Sequence, residues 1–219
     1  MFSFLLFSCT QQGEKIKKAD REYNGSYTGK YLDRIAFPVG GTGAGMFCLE
    51  GTGSISHMSV RNRPDVFNEP CMFAAISVKG MENGTKVLEG QVPDWKKFGQ
   101  PNSANGSPGT TYGFPRFQNT KFTARFPFAL TEMKDDDIPL DVNMTGWSPF
   151  IPTDADNSCL PVGAIEYTFR NTGSGKIEAV FSYNSVNFMG QDNGINKIDP
   201  TSNGFVLSEE GVKDKPETK

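Results

Sequence analysis

The polar side chains best suited to chemistry are concentrated in one ten-residue segment of the sequence. This segment reads RNRPDVFNEP and contains Arg61, Arg63, Asp65, Asn68 and Glu69. Guanidinium groups, carboxylates and an amide this close together could pair with one another or bind a polar ligand. Nothing in the local sequence would raise the pKa of one acid and lower that of the other, as a catalytic carboxylate pair requires. We therefore expect these residues to face a substrate or a neighbouring domain, without a catalytic role.

Three aromatic residues form a second candidate group. Trp95, Tyr112 and Phe114 lie in a Gly- and Pro-rich segment, residues 90–118, which is too long and irregular for an ordinary connection. Aromatic side chains in such a segment usually pack the loop against the edge of the core, and we favour this interpretation. The alternative is an aromatic surface that stacks on a sugar or docks another domain.

The glycine-rich segment GGTGAG, residues 40–45, does not fit a phosphate-binding loop. Met46 stands where G-x-G-x-x-G requires its last glycine, and no G-K-[ST] follows. The next residues have a β pattern, so no helix N-terminus is available for a phosphate. We predict turns, bulges or close backbone approaches at these glycines. His57 lies in a predicted strand, where a structural role is expected.

The composition excludes several classes of function. The net charge of −3 gives no electrostatic reason to expect nucleic-acid binding. One histidine and the lack of a C-x-x-C pair argue against a metal site, and we predict no metal and no cofactor. Glycine, proline and phenylalanine are frequent, at 24, 14 and 18 residues, which favours short strands joined by turns.

The N-terminus resembles the end of a bacterial lipoprotein signal. Residues 1–9 read MFSFLLFSC, with L-F-S-C as the lipobox and Cys9 as the lipidated residue, although a positive n-region is missing. We expect the natural start to lie upstream, residues 10–29 to form a polar tether, and the protein to be lipid-anchored in the bacterial cell envelope, at the outer membrane or in the periplasm. The alternative is a frayed apolar terminus. At most one disulfide can form among Cys48, Cys71 and Cys159, and its pairing stays open.

Period-two alternation predicts strands through residues 30–219. Apolar residues alternate with polar ones in four runs: Phe122 to Leu130, Leu140 to Met144, Ile165 to Phe169, and Ile177 to Tyr183. The run CMFAAISVKG predicts a central strand. Because no stretch of twelve residues has a helical period, we predict an all-β fold, a two-sheet antiparallel β-sandwich.

Several separate motifs resemble one known family. They read FPVGGTGAGMFCLEGTGSISHMSVRNRPDVFNEP, VLEGQVPDWKKFG, TTYGFPRF, ARFPFA, TGWSPFIPTDADNSCLPVGAIEYTFRN and FSYNSVNFMG. Between Arg34 and Leu207 the sequence is similar to the N-terminal domain of glycoside hydrolase family 116. This family includes the non-lysosomal glucosylceramidase, also called bile-acid β-glucosidase, and many bacterial β-glycosidases.

The resemblance implies a β-sandwich that precedes an (α/α)6 helical barrel in a retaining β-glycosidase. In the family, the nucleophilic Glu and the acid/base Asp lie in that barrel, so neither is assigned to a residue of this sequence. We expect a truncated, incomplete sandwich domain that is inactive alone and meets a β-linked glycoside only through the catalytic domain. The alternatives are a stand-alone, surface-anchored carbohydrate-binding lipoprotein domain and an inactive remnant.

Overall fold

The computed structural model of this protein describes residues 21–60, 63–66, 68–98, 111–190 and 195–211, without the side chain of Phe98. This part of the chain is built almost entirely of antiparallel β-strands. It also contains one turn of 3-10 helix, Gly29–Leu32, and two short α-helices, α1 (Asp94–Phe98) and α2 (Ala155–Ser158). The predicted all-β class is therefore confirmed.

The strands are short and follow one another through turns. The first six are β1 (Tyr27–Thr28), β2 (Ala36–Val39), β3 (Met46–Glu50), β4 (Ile55–Ser59), β5 (Met72–Val78) and β6 (Thr85–Val87). The next four are β7 (Asn119–Arg125), β8 (Phe128–Lys134), β9 (Leu140–Trp147) and β10 (Ala164–Asn171). The last three are β11 (Ala179–Ser185), β12 (Ile195–Thr201) and β13 (Gly204–Glu210).

These strands form a sandwich around one apolar core. One layer is a five-stranded sheet in the order β1-β7-β8-β9-β10, and the other consists of two three-stranded sheets, β2-β3-β4 and β11-β5-β6. The layers approach closely, because a Cβ on Gly146 of β9 would lie 2.2 Å from Cδ1 of Leu49 on β3. As predicted, the CMFAAISVKG run forms a central strand, β5.

The alternation predicted the core correctly in β9 and wrongly in the run from 122 to 130. Leu140, Val142 and Met144 are buried, as expected for one face of a strand. Phe122 is also buried, but the chain reverses at Phe126–Pro127 between β7 and β8. This reversal changes which alternate residues point inward. Phe126 and Phe128 are therefore exposed, and Ala129 and Met133 enter the core instead.

The two later runs are less buried than their alternation predicted. Phe169 of β10 and Phe181 and Tyr183 of β11 remain substantially exposed. Both strands lie at the edge of their sheets, each bonded to one neighbour. Their rings contact one another across the layers, with the centroid of Phe181 5.5 Å from that of Tyr167 and 6.0 Å from that of Phe169.

The β12–β13 hairpin forms its own two-stranded sheet. Phe205 and Leu207 on β13 line an apolar pocket of about 590 Å³, together with residues such as Met46 and Tyr183. Asn187 connects the hairpin to the rest of the fold, because its Nδ2 donates a hydrogen bond to the Ser208 carbonyl at 2.8 Å.

The structure also describes part of the predicted tether and the three cysteines among which at most one disulfide was expected. β1, Tyr27–Thr28, pairs with β7 and lies inside the range 10–29, whereas Cys9 lies outside the described residues. Cys48, Cys71 and Cys159 are all free thiols. Burial, together with the nearby Glu50 carboxylate, raises the pKa of Cys48 to about 11. Among the described residues, no helix is long and apolar enough to cross a membrane.

The glycine-rich segment is a place of close backbone approach, as predicted. A Cβ on Gly41 would lie 2.0 Å from the carbonyl oxygen of Leu160. The neighbouring Thr42 N–H donates a hydrogen bond to the Ser158 carbonyl at 2.8 Å. Gly43 has a φ of 75°, which a residue with a side chain rarely adopts. The glycines therefore bring this loop against the backbone that follows α2.

A buried ion pair connects β6 to the loop between β8 and β9. Nζ of Lys86 lies 2.8 Å from carboxylate oxygens of both Asp135 and Asp137. Burial alone would raise the pKa of Asp135, but hydrogen bonds from Lys86 and from backbone N–H groups lower it overall. The pKa of Asp135 is therefore lower in the folded protein than in the unfolded chain, where it is about 3.9. Asp135 contributes to the free energy of unfolding above this unfolded pKa, and the contribution is lost as the pH falls through the folded pKa.

Candidate functional site

The polar segment that the sequence singled out divides into two parts. Arg61 lies outside the described residues, and Arg63 and Asp65 are exposed. The Asp65 backbone N–H donates to Oγ of Ser59 at 2.9 Å. Nδ2 of Asn68 donates a hydrogen bond to the Met58 carbonyl at 3.0 Å, so the segment is hydrogen-bonded to β4. Arg63 and Asp65 are therefore exposed in a loop whose position is fixed by hydrogen bonds to β4.

Glu69 belongs to a cluster that the sequence did not predict. Nζ of Lys96 on α1 lies 2.9 Å from Oε1 of Glu69 and 2.7 Å from Oε1 of Glu50. The Tyr112 hydroxyl donates to the other oxygen of Glu69 at 3.4 Å. We call Glu50, Glu69, Lys96 and Tyr112 the acid–lysine cluster. It brings together one residue from each of the two groups of candidates, Glu69 and Tyr112.

The acid–lysine cluster is mostly shielded from water. The side chain of Lys96 is 4% exposed and that of Glu50 8%, whereas that of Glu69 is 32% exposed. Burial lowers the pKa of Lys96, but the carboxylates of Glu50 and Glu69 more than offset this effect and raise it overall. The ammonium group therefore stays charged, and it holds α1 against the end of β3.

A second buried pair positions the described loop at residues 111–117, which we call the aromatic loop. Nε of Arg116 lies 3.2 Å from Oε2 of Glu89, which also accepts a hydrogen bond from Ser54 at 3.2 Å. Burial raises the pKa of Glu89, and the charge of Arg116 only partly opposes this shift. The same guanidinium donates to the carbonyls of Thr111, Tyr112 and Phe114. Arg116 thereby fixes the loop that carries Tyr112 into the cluster.

The two buried glutamates occur in a repeated tripeptide. Leu49-Glu50-Gly51 ends β3, and Leu88-Glu89-Gly90 follows β6. Both leucines enter the core, and both glutamates contact a cation. The two tripeptides are linked where the Gly90 N–H donates to the Thr52 carbonyl at 2.7 Å. An acid between a core leucine and a glycine, present twice, is the sequence signal that could have revealed these positions.

The other candidate aromatics are partly exposed and fixed by contacts. Nε1 of Trp95 donates to the Asp33 carbonyl at 2.7 Å, and the guanidinium of Arg34 lies 5.2 Å from its ring centroid. Phe114 packs edge-on against Phe73, with the ring centroids 6.0 Å apart. Burial and the Glu69 carboxylate raise the pKa of Tyr112.

The acid–lysine cluster joins parts of the chain that are far apart in sequence. Glu50 and Glu69 share the ammonium group of Lys96. These contacts connect β3, the segment before β5, α1 and the loop that carries Tyr112. In the part of the chain that the structure describes, no group of three or more His, Cys, Asp or Glu residues is placed to hold a metal ion.

A groove of about 610 Å³, lined by both polar and apolar residues, borders Asp33, the hydrogen-bond partner of Trp95. It is bounded by the 3-10 turn, the residues before α1, and strands β7 and β8. Its polar lining residues include Thr28, Asp33, Asp94, Gln118, Asn119, Lys121, Glu132 and Lys134. We refer to it below as the polar groove.

A comparison with protein-family models identifies the family of this chain. A family model described as beta-glucosidase 2, glycosyl-hydrolase family 116 N-term, matches residues 36–217. This range covers every strand from β2 to β13, the acid–lysine cluster and most of the polar groove. No curated protein matches the chain significantly.

Proposed function

Because the chain belongs to glycoside hydrolase family 116, as a copy of its N-terminal domain, we propose that it is a non-catalytic β-sandwich that supports the helical catalytic domain of a retaining β-glycosidase. The family match over nearly the whole chain carries this proposal. The burial of Glu50 also supports it, because a glycosidase carboxylate must reach its substrate and the Glu50 side chain is only 8% exposed.

We propose that the catalytic domain docks where the acid–lysine cluster reaches the surface. Trp95 and Phe114 are exposed on segments that the buried cations Lys96 and Arg116 hold in place. Arg63 and Asp65 are exposed in the loop after β4, which hydrogen bonds to that strand hold in place. A docking surface with preset side chains loses less conformational entropy on association than a mobile one. The substrate, a β-linked glycoside, would be bound and hydrolysed by the catalytic domain.

The proposal is tested by comparing the 219-residue chain with the same chain joined to a family 116 helical domain. Both are incubated with aryl β-glucoside, β-xyloside and β-N-acetylglucosaminide. We expect turnover only from the joined protein, and weaker activity or stability when Arg63 and Phe114 are both changed to alanine. Turnover by the chain alone that disappears in Asp65→Asn or Glu69→Gln would contradict a non-catalytic role.

We also propose that a lipid on Cys9 places the domain in the bacterial cell envelope. The sequence L-F-S-C, followed by polar residues, is the support for this proposal. A single acyl chain binds a membrane only marginally, whereas two or more hold a protein there firmly. If Cys9 carries more than one acyl chain, this anchor is sufficient to localise the protein at the membrane.

A further inference from the structure

We propose that the polar groove is a binding site for a neutral, β-linked glucan oligosaccharide. Its floor is one face of three neighbouring strands. Thr28 of β1 pairs in register with Lys121 of β7, which pairs in turn with Glu132 of β8. Asn119 and Lys134 form the adjacent cross-strand pair. Because residues two positions apart share a face of a strand, these side chains form one continuous polar surface.

The two walls of the groove are joined by one hydrogen bond. One wall contains Leu32 and Asp33, at the end of the 3-10 turn, and the other contains Val92, Pro93 and Asp94, which lead into α1. Trp95 connects them, since its indole N–H donates to the Asp33 carbonyl at 2.7 Å. The groove is therefore formed before any ligand arrives, which lowers the entropic cost of binding.

The charges in the groove are largely neutralised by neighbouring residues. Lys121 pairs with Glu132, Lys134 lies 3.6 Å from Asp141, and Asp94 lies 3.1 Å from Lys97. The groove consequently offers no cluster of unpaired cations for a phosphate or another anion. A neutral ligand with many hydrogen-bonding groups fits this arrangement better than a charged one.

The remaining polar groups match the hydroxyls of a sugar. The carboxylate of Asp33 and the side-chain amides of Gln118 and Asn119 have no hydrogen-bond partner among the described residues. They supply both donors and acceptors. Leu32, Val92 and Pro93 also line the groove, but they are buried and contribute only a small apolar part of its surface. A volume of about 610 Å³ lies within the usual range of small-molecule sites.

The choice of a β-linked glucan, among neutral polyhydroxy ligands, rests on the proposed function. An open groove along strands suits an extended oligosaccharide better than a single enclosed sugar. In this arrangement the sandwich would hold a polymeric or branched substrate close to the catalytic domain. Such a second contact raises the effective concentration of the substrate without taking part in the reaction.

The test is titration calorimetry of the 219-residue chain with cellotetraose, and with maltotetraose as the α-linked comparison. The informative variant is Gln118→Ala combined with Asn119→Ala, since both side chains are exposed and unbonded. The control is Asn184→Ala, an exposed asparagine on β11 of another sheet. Thermal unfolding followed by circular dichroism checks that both variants fold like the wild type.

We expect the wild type and the control to bind cellotetraose, and the double variant to bind it at least about fivefold more weakly, the loss typical of one or more missing hydrogen bonds. Absence of cellotetraose binding by the folded wild type, or equal binding by the double variant, would overturn the site. Equal binding of maltotetraose would overturn the preference for β-linkage. None of these outcomes affects the proposed support of a catalytic domain, which is measured by turnover of aryl glycosides.

Discussion

Replacing Lys96 with methionine should destabilise the protein strongly while leaving its shape intact. Methionine has a similar length and volume, so little packing is lost. Its thioether cannot neutralise Glu50, whose carboxylate would remain buried beside the end of β3. Glu69 is 32% exposed and can recover hydration, so most of the cost arises from Glu50. Removing one partner of a buried ion pair typically costs about 3–5 kcal/mol of unfolding free energy.

The assay is urea unfolding at neutral pH, followed by tryptophan fluorescence, with thermal unfolding as a second measurement. For a domain of this size, about 3–5 kcal/mol corresponds to a fall of roughly 6–20 °C in melting temperature. Lys97→Met is the matched control on the same helix, because Lys97 is 37% exposed and pairs with a well-exposed Asp94. This control should lose at most about 1 kcal/mol.

A second substitution separates an unpaired charge from other effects of losing Lys96. Adding Glu50→Gln to Lys96→Met removes the buried carboxylate and should recover a large part of the lost stability. The reasoning is refuted if Lys96→Met is no less stable than Lys97→Met. It is equally refuted if the double variant is as unstable as Lys96→Met alone.

Three further predictions concern other parts of the molecule. Unfolding free energy should fall as the pH drops below about 4, the unfolded pKa of an aspartate, and Asp135→Asn should flatten this dependence, measured by urea unfolding at each pH. Gly41→Ala should destabilise by about 1–3 kcal/mol, since its Cβ would overlap a backbone carbonyl, whereas Gly175→Ala has open space and should change stability little. Metabolic labelling with a fatty-acid analogue should mark the wild type and not Cys9→Ser; equal labelling would contradict the lipid anchor.

Local alternation of polar and apolar residues was sufficient to predict the fold class. It failed to assign core residues correctly where an unrecognised turn interrupted the run. In β9 the polar and apolar residues alternate without interruption, so Leu140, Val142 and Met144 could be assigned to the core correctly. The run from 122 to 130 looked equally regular, yet it contains the reversal at Phe126–Pro127. Pro127 is a local signal of a turn inside this run, and because the alternation was followed through it, the residues beyond it were assigned to the wrong face.

The candidate site was only partly predictable, because its contacts join distant parts of the sequence. Glu69 and Tyr112 were named for separate reasons, and their hydrogen bond connects residues 43 positions apart. Lys96 is followed by another lysine on α1, and only the fold shows that the first is buried while the second is exposed. Composition and spacing do not determine which of two adjacent lysines turns toward Glu50.

The central position of β5 has a consequence for how the protein acquires its structure. β5 pairs with β11, more than a hundred positions further along the chain, and the strands of the five-stranded sheet from β7 to β10 are synthesised between them. At the usual rate of translation, β5 therefore waits roughly 5–20 s for its partner. During this interval one edge of an apolar strand is open on the ribosome. Pairing across so long a loop also predicts slow folding, and a need for protection of the nascent chain until Ser185 has emerged.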